Sequence, residues 1–265
     1  MINSQNPTQT WDSIKDTQHY EILSVPSAPK QENQIRIVCI SDTHMKHHHL
    51  QIPDGDILVH TGDFSSLGRW DDIQRFATWF GGLPHKHKIV IAGNHDLTLD
   101  MPYYDTVVGR FHRGQREPAE SILEYVSSQS SFIYLCDEGV HCEGLYIYGS
   151  PWQPYFYNWA FNLNRGSACL EKWREIPDQT DVLLTHGPPL GHGDLCASGV
   201  RAGCVDLLLE IQNRIRPKLH VFGHIHEGAG ITTDGQTVFV NAASCDLSYK
   251  AKNPVLFWDL SVSVS

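Results

Sequence analysis

At 265 residues, 41% hydrophobic and 19% charged, the chain is long enough for one large domain with a real core and has an ordinary globular balance. A net charge of -10 with histidine neutral excludes the basic face that general nucleic-acid or anionic-membrane binding needs, so an anionic substrate requires a local cation. No apolar run approaches the ~20 residues of a membrane span. No secretory signal is visible after Met1, and the seven cysteines lack a Cys-x-x-Cys pair, which reads as free thiols in a reducing, cytoplasmic compartment.

Residues 1–33 are polar, carry Pro7, Pro26 and Pro29, and read as a loosely attached arm in which Tyr20 to Val25 can add an edge strand; residues 34–262 read as the functional domain. The first strand, Ile35 to Ile40, stops at Ser41-Asp42-Thr43-His44. Alternate residues of an extended segment point the same way, so Asp42 and His44 can face one ion. Lys46-His47-His48-His49 reads as a solvated histidine loop. Ile57 to His60 then runs into Thr61-Gly62-Asp63. Ile73, Phe76, Ala77 and Phe80, at i, i+3, i+4 and i+7, predict an amphipathic helix closed by Gly81-Gly82 and Pro84. It leads through a solvated turn holding His85 and His87 to the strand Ile89-Val90-Ile91, which ends in Ala92-Gly93-Asn94-His95-Asp96.

Residues 100–117 read as an irregular surface loop with Arg110, His112, Arg113 and Arg116. Pro118 opens a helix with Ile122, Leu123 and Val126, and strands at Phe132 to Leu135 and Leu145 to Tyr148 flank a turn at Asp137-Glu138-Gly139. Residues 149–162 are neither helix nor strand in pattern and hold Trp152, Tyr155, Phe156, Tyr157, Trp159 and Phe161. These rings either stack on a nucleobase or other flat group, or pack against the domain. Trp152, Phe156, Asn162 and Arg165 are the candidate substrate contacts. After a helix at Ser167 to Glu175, Val182-Leu183-Leu184 ends in Thr185-His186-Gly187. Val205, Leu208, Leu209 and Ile215 mark a helix stopped by Pro217, and Leu219 to Phe222 ends in Gly223-His224-Ile225-His226. Thr237 to Asn241 and Val255 to Leu260 close the chain as strands of a second sheet. His60, His141 and His220 read as strand or core residues.

Five strands thus deliver Asp, His or Asn at their carboxyl ends, where open α/β sheets bind ligands. A pair of divalent ions needs a bridging carboxylate, for which Asp63 is the candidate, with Asp42, His44 and His226 on one ion and Asn94, His186 and His224 on the other. Two such cations ~3.5–4 Å apart turn a shared water into hydroxide at neutral pH and clamp phosphoryl oxygens. The mixed oxygen and nitrogen ligands suit Mn²⁺, Fe or Zn²⁺. His95, beside Asn94 but not needed as a ligand, is placed for acid–base work.

Asp42-x-His44, Gly62-Asp63, Gly93-Asn94-His95-Asp96, His186 and Gly223-His224-x-His226 resemble the five signature blocks of the calcineurin-like metallophosphoesterase superfamily. The longer runs Cys39 to His44, Leu58 to Phe64, Ile89 to His95, Thr185 to Gly191 and Arg216 to Gly223 are similar to the metallophosphoesterase-domain-containing (brain protein 239-like, UPF0046) family. The resemblance covers roughly residues 34 to 260. It implies a four-layer α/β/β/α sandwich of two mixed sheets, two divalent ions with Mn²⁺ first, and a phosphodiesterase activity like that of class III cyclic-nucleotide phosphodiesterases. It also implies that His95 serves the leaving group while Asp96 orients its ring. Some relatives have glycine at the position of His224; this chain keeps the histidine, which implies full metal occupancy. Protein phosphatases of the superfamily follow the bridging Asp with Asp-Arg-Gly, whereas Asp63 is followed here by Phe64-Ser65-Ser66, which favours diesters over monoesters. The expectation is a metal-dependent phosphoric ester hydrolase cleaving small phosphodiesters or nucleotides, with no identifiable partner protein. Its alternatives are a phosphomonoesterase or nuclease, and a metal-binding scaffold with little catalysis.

Overall fold

The computed structural model describes residues 2–27 and 29–261 and distributes the ligand-bearing apolar runs over two sheets that face each other. One sheet has the order Leu256–Ser261, Gln34–Ile40, Ile57–Thr61, His87–Ile91, Ile133–Tyr134, parallel except for the first pair. The other has the order Glu21–Leu23, Gly230–Thr233, Val238–Asn241, Leu219–Phe222, Val182–Thr185, Leu145–Ser150, Glu138–Cys142, with four parallel strands at its centre and antiparallel edges.

Strands buried on both faces read as continuous apolar runs, and the pleat divides them between two interfaces. Ile37, Cys39, Ile57, Val59, Ile89 and Ile91 meet Leu145, Ile147, Val182, Leu184, Leu219 and Val221 between the sheets. Their neighbours Val38, Ile40, Leu58 and Val90 pack outward on helices Trp70–Gly81, Met101–Phe111 and Ala119–Ser127. On the far side Leu183, Phe222 and Phe239 pack on Ser167–Trp173 and Val205–Glu210. The result is the α/β/β/α sandwich, and each fully buried Leu, Ile, Val or Phe contributes roughly 1.5–3 kcal/mol. Because the central strands of both sheets are parallel, their carboxyl ends converge at one edge.

Five local expectations are corrected. The last two strands do not share a second sheet: Val238–Asn241 pairs with Leu219–Phe222, whereas Leu256–Ser261 pairs with Gln34–Ile40 at the edge of the other sheet. The arm is packed rather than loose: Asn6 caps helix Pro7–Ile14 by accepting from Gln9 N, and Trp11 is buried against Leu190, Val205 and Leu208. Glu21–Leu23 completes the sheet edge. Residues Met101–Phe111 form a helix, capped by Asp100, whose Oδ1 accepts from Tyr103 N, and anchored by buried Tyr104 and Val107. Its Tyr-Tyr-Asp-Thr-Val-Val-Gly run has weak helix propensity, and packing overrides it. Glu138–Cys142 is a strand, and the hairpin turns instead at Glu143-Gly144, both with positive φ. His47 and His85 are buried rather than solvated; His47 lies against Trp79, and His85 Nε2 hydrogen-bonds Pro53 O.

Candidate metal centre

At the shared edge the chain leaves three of the five ligand-bearing strands through a tight, strained turn. Asp42, His44, Asp63 and His224 all hold φ between 40° and 66°, a left-handed conformation that non-glycine residues adopt at a cost and that clusters at functional sites. Gly93 and Gly223 make the crowding feasible, since a Cβ at Gly223 would overlap the Asp42 carboxylate and one at Gly93 would meet Asp63 N at 2.5 Å and His186 Cε1 at 2.6 Å.

These turns bring the ligand-type groups together. Asp42 Oδ1 lies 3.4 Å from His226 Nε2 and 4.0 Å from His44 Nε2, and the two imidazole nitrogens are 3.3 Å apart. Asp63 faces both sides: its Oδ2 is 3.8 Å from His44 Nε2 and its Oδ1 is 3.5 Å from His186 Nε2. Asn94 Oδ1 sits 3.0 Å from His186 Nε2, and the His224 ring lies edge-on to His186 at 5.1 Å. Backbone groups orient the imidazoles: Thr61 O is 2.8 Å from His186 Nδ1, and Asp246 O is 3.1 Å from His226 Nδ1. Ligating histidines almost always have this kind of support on the second nitrogen.

The electrostatics ask for positive charge. Burial opposes ionisation of Asp42, yet His226 and His186 hold its carboxyl below the usual range; burial opposes Asp63 likewise, and His186 and His95 hold it well below. In return, against the cost of burial, His186 is raised to about 9 by Asp63 and His226 to about 9 by Asp42. Burial instead lowers His44 to about 4 and His224 to about 3. Protons on two imidazoles therefore stand where cations would balance two buried carboxylates. Among the described residues, Asp42 Oδ1 and His44 Nδ1 are buried without a hydrogen-bond partner.

The calcineurin-like phosphoesterase family profile matches residues 35–228. The chain is 45% identical to human metallophosphoesterase domain-containing protein 1, over 97% of this chain and 83% of that protein. The chain belongs to the calcineurin-like metallophosphoesterases. A UPF0046 protein of Caenorhabditis elegans is 39% identical over 98% of this chain and 69% of its own length. A probable rhamnogalacturonate lyase C of Emericella nidulans is 40% identical over 75% of this chain but only 18% of its own length.

Metallophosphoesterases of this family use a dinuclear divalent centre, and the residues present fit one: Asp42, His44 and His226 form one group whose ligand atoms lie within 4.8 Å, and Asp42, Asp63 and His186 another. The unpartnered Asp42 Oδ1 and the facing His44 and His226 nitrogens are explained if a cation lies between them.

The role expected for Asp96 is corrected. Its carboxylate accepts from Gly93 N, Asp63 N, Ser65 N and Ser65 Oγ and makes no hydrogen bond to the His95 ring. It buckles the two turns together. Burial and the Asp63 charge raise it to about 7 against the pull of those donors. The His95 ring is set instead by Ser66 O, 2.9 Å from Nδ1, and by Trp159 stacked on it at 4.1 Å.

Among the candidate substrate contacts only Phe156 reaches the cleft, its ring edge-on to His224 at 4.8 Å. Trp152 packs on Phe161 and donates to Asp137 Oδ2, Asn162 Oδ1 accepts from Phe156 N within its own loop, and Arg165 is spent on the carbonyls of Ala202 and Gly203. Sequence reading missed Cys196, Leu247 and Tyr249, which also line the cleft. Tyr249 lies edge-on to His44 at 4.8 Å. The signal was the strand Val238-Phe239-Val240-Asn241, recognised as a strand but not as one more polar stop ahead of the loop that carries Leu247 and Tyr249.

Proposed function

We propose that this metallophosphoesterase is a phosphodiesterase that cleaves cyclic nucleotides or related small phosphodiesters in the cytoplasm, with Mn²⁺ as the preferred ion. The observation that carries this reading is the lining of the cleft over the ligand cluster, about 200 Å³, which includes Asn94, His95, Phe156, His224 and Tyr249 but, among the described residues, no Lys or Arg. A monoester brings a dianion for which this lining, among the described residues, offers no lysine or arginine, whereas a diester brings a single charge. Phe64, at the start of the segment where phosphatases carry their arginine element, is buried and stacked on Phe76 at 4.2 Å.

Two divalent ions, when bound by Asp42, His44, Asp63, Asn94, His186, His224 and His226, supply Lewis-acid charge to the phosphoryl oxygens and acidify coordinated water. The chain's own work is to orient and to move a proton. With Nδ1 donating to Ser66 O, His95 keeps Nε2 for the leaving oxygen, and Trp159 fixes the plane of the ring. Seven free cysteines support a reducing compartment, and no helix among the described residues is long and apolar enough to cross a membrane.

The test is hydrolysis of bis(p-nitrophenyl) phosphate beside p-nitrophenyl phosphate by metal-stripped protein with Mn²⁺, Zn²⁺ or Mg²⁺ restored, followed by a cyclic nucleotide, a linear dinucleotide and a nucleoside monophosphate. Metal-dependent turnover of the diester well above the monoester is expected, with Mn²⁺ restoring the most. A faster monoester, or no turnover with both ions bound, overturns the reading.

A further inference from the structure

The sequence scatters its cysteines, but the fold brings two of them together in the core beneath the helices that cover the seven-stranded sheet. Cys169 lies in helix Ser167–Trp173, Cys204 immediately precedes helix Val205–Glu210, and both are buried. Their sulfurs lie within 4.8 Å of each other and of an Asp206 oxygen. The carboxylate is already committed, accepting from Ser4 Oγ at 2.8 Å and Gly166 N at 3.2 Å, so the group is a dithiol rather than a vacant cation site. We propose that Cys169 and Cys204 are a redox modification site, a dithiol that a hydroperoxide converts to a disulfide.

The surroundings give the two thiols different tasks. Trp173 Nε1–H donates to Cys204 Sγ at 3.2 Å. Although burial pushes the Cys204 thiol up, hydrogen bonds from Cys169, Leu207 N and Trp173 bring it below the ordinary range, while Cys169, as the donor, is raised. The more accessible Cys136 is pushed up to about 12, first by burial of its sulfur and then by Asp137, and burial raises Cys196 too. A thiolate is the attacking form, so Cys204 leads. Its sulfur attacks one peroxide oxygen and breaks the O–O bond, giving a sulfenic acid and hydroxide, which takes up the proton released by Cys204. The Cys169 thiol then attacks the sulfenic sulfur, forming the S–S bond and expelling water. Two thiols are oxidised by two electrons and one hydroperoxide, in the case of hydrogen peroxide, is reduced to two waters. A dithiol reductant reverses the change. Cys204 N donates to Pro188 O at 2.9 Å and Leu190 N donates to Cys204 O at 3.0 Å, so the pair is laddered to the segment that follows His186.

The test uses the full chain, reduced, exposed to hydrogen peroxide, then denatured in iodoacetamide and digested with trypsin. We expect two fewer alkylated cysteines, a mass lower by two hydrogens per unlabelled chain, and a dithiothreitol-sensitive link between the peptides holding Cys169 and Cys204. In Cys169→Ser the sulfenic acid has no partner and dimedone labels Cys204. The proposal is overturned if Cys136 or Cys196 is oxidised while Cys169 and Cys204 are still fully alkylated, or if folded Cys169→Ser gives no dimedone adduct at Cys204. Should that variant fail to fold, the wild-type peptide map decides alone.

Discussion

His95 and Asp96 are adjacent in the chain and do different work. His95 is a ring held by Ser66 O and Trp159 at the edge of the ligand cluster, so His95→Asn is expected to keep both metal ions and lose about 10²–10⁴ in kcat. Asp63→Ala or His186→Ala is expected to lose metal and activity together, because Asp63 faces both ligand groups and His186 faces Asp63. Metal content by plasma mass spectrometry beside kcat separates the two behaviours, and metal lost in step with rate in the His95 variant would make it a ligand. Asp96→Ala leaves Gly93 N, Asp63 N and Ser65 N without their acceptor and is expected to cost roughly 3 kcal/mol or more in urea unfolding. An Asp96 that merely oriented the His95 ring would slow turnover and leave the urea midpoint unchanged.

At the scale of elements, the apolar run with a polar stop is what made most of the centre legible. Period-2 pleating and a following Gly, Asp or His are local properties, so the strands ending at Asp42, Asp63, Asn94, His186 and His224 are all found where the pattern places them. Met101–Phe111 was not legible because its helix rests on Tyr104 and Val107 reaching the outer face of a sheet built from other segments. The Trp11 helix was hidden likewise, its partners Leu190, Val205 and Leu208 lying nearly two hundred residues away. The close approach of strand ends gives a direct test. Gly223→Ala puts a methyl into the Asp42 carboxylate, so it is expected to weaken metal binding at least tenfold while the far-ultraviolet circular dichroism stays native; unchanged affinity would mean that the turn yields freely.

For the molecule as a whole, stability carries the mark of its buried histidines. Burial holds His47 and His192 at about 4, His60 at about 3 and His220 well below the ordinary range. The unfolded chain takes up these protons near pH ~6.5 and the folded chain does not, so stability present above that pH is lost as pH falls toward 4. His186 and His226, raised to about 9, and Asp96, raised to about 7, act in the opposite sense, but the histidine contribution is complete below pH ~6.5 and the single Asp96 proton does not offset the protons that four buried histidines refuse. In chelator, Tm is expected to fall markedly between pH 7 and 5; a flat profile would refute neutral burial. Restoring Mn²⁺ at pH 7 is expected to raise stability by about 2.7 kcal/mol at a hundred times its Kd.

Asp42, His44, Asp63, Asn94, His186, His224 and His226 were readable from the sequence alone because they follow the ends of five strands, and strand, stop and ligand are set by a few adjacent residues. The missing arginine after Asp63 was readable for the same reason. Only the tertiary structure decided that Tyr249 borders the cleft, that Arg165 is spent on the carbonyls of Ala202 and Gly203, and that Cys169 meets Cys204. Those relations join segments whose separation is set by how two sheets and their covering helices pack, and no local periodicity encodes that distance.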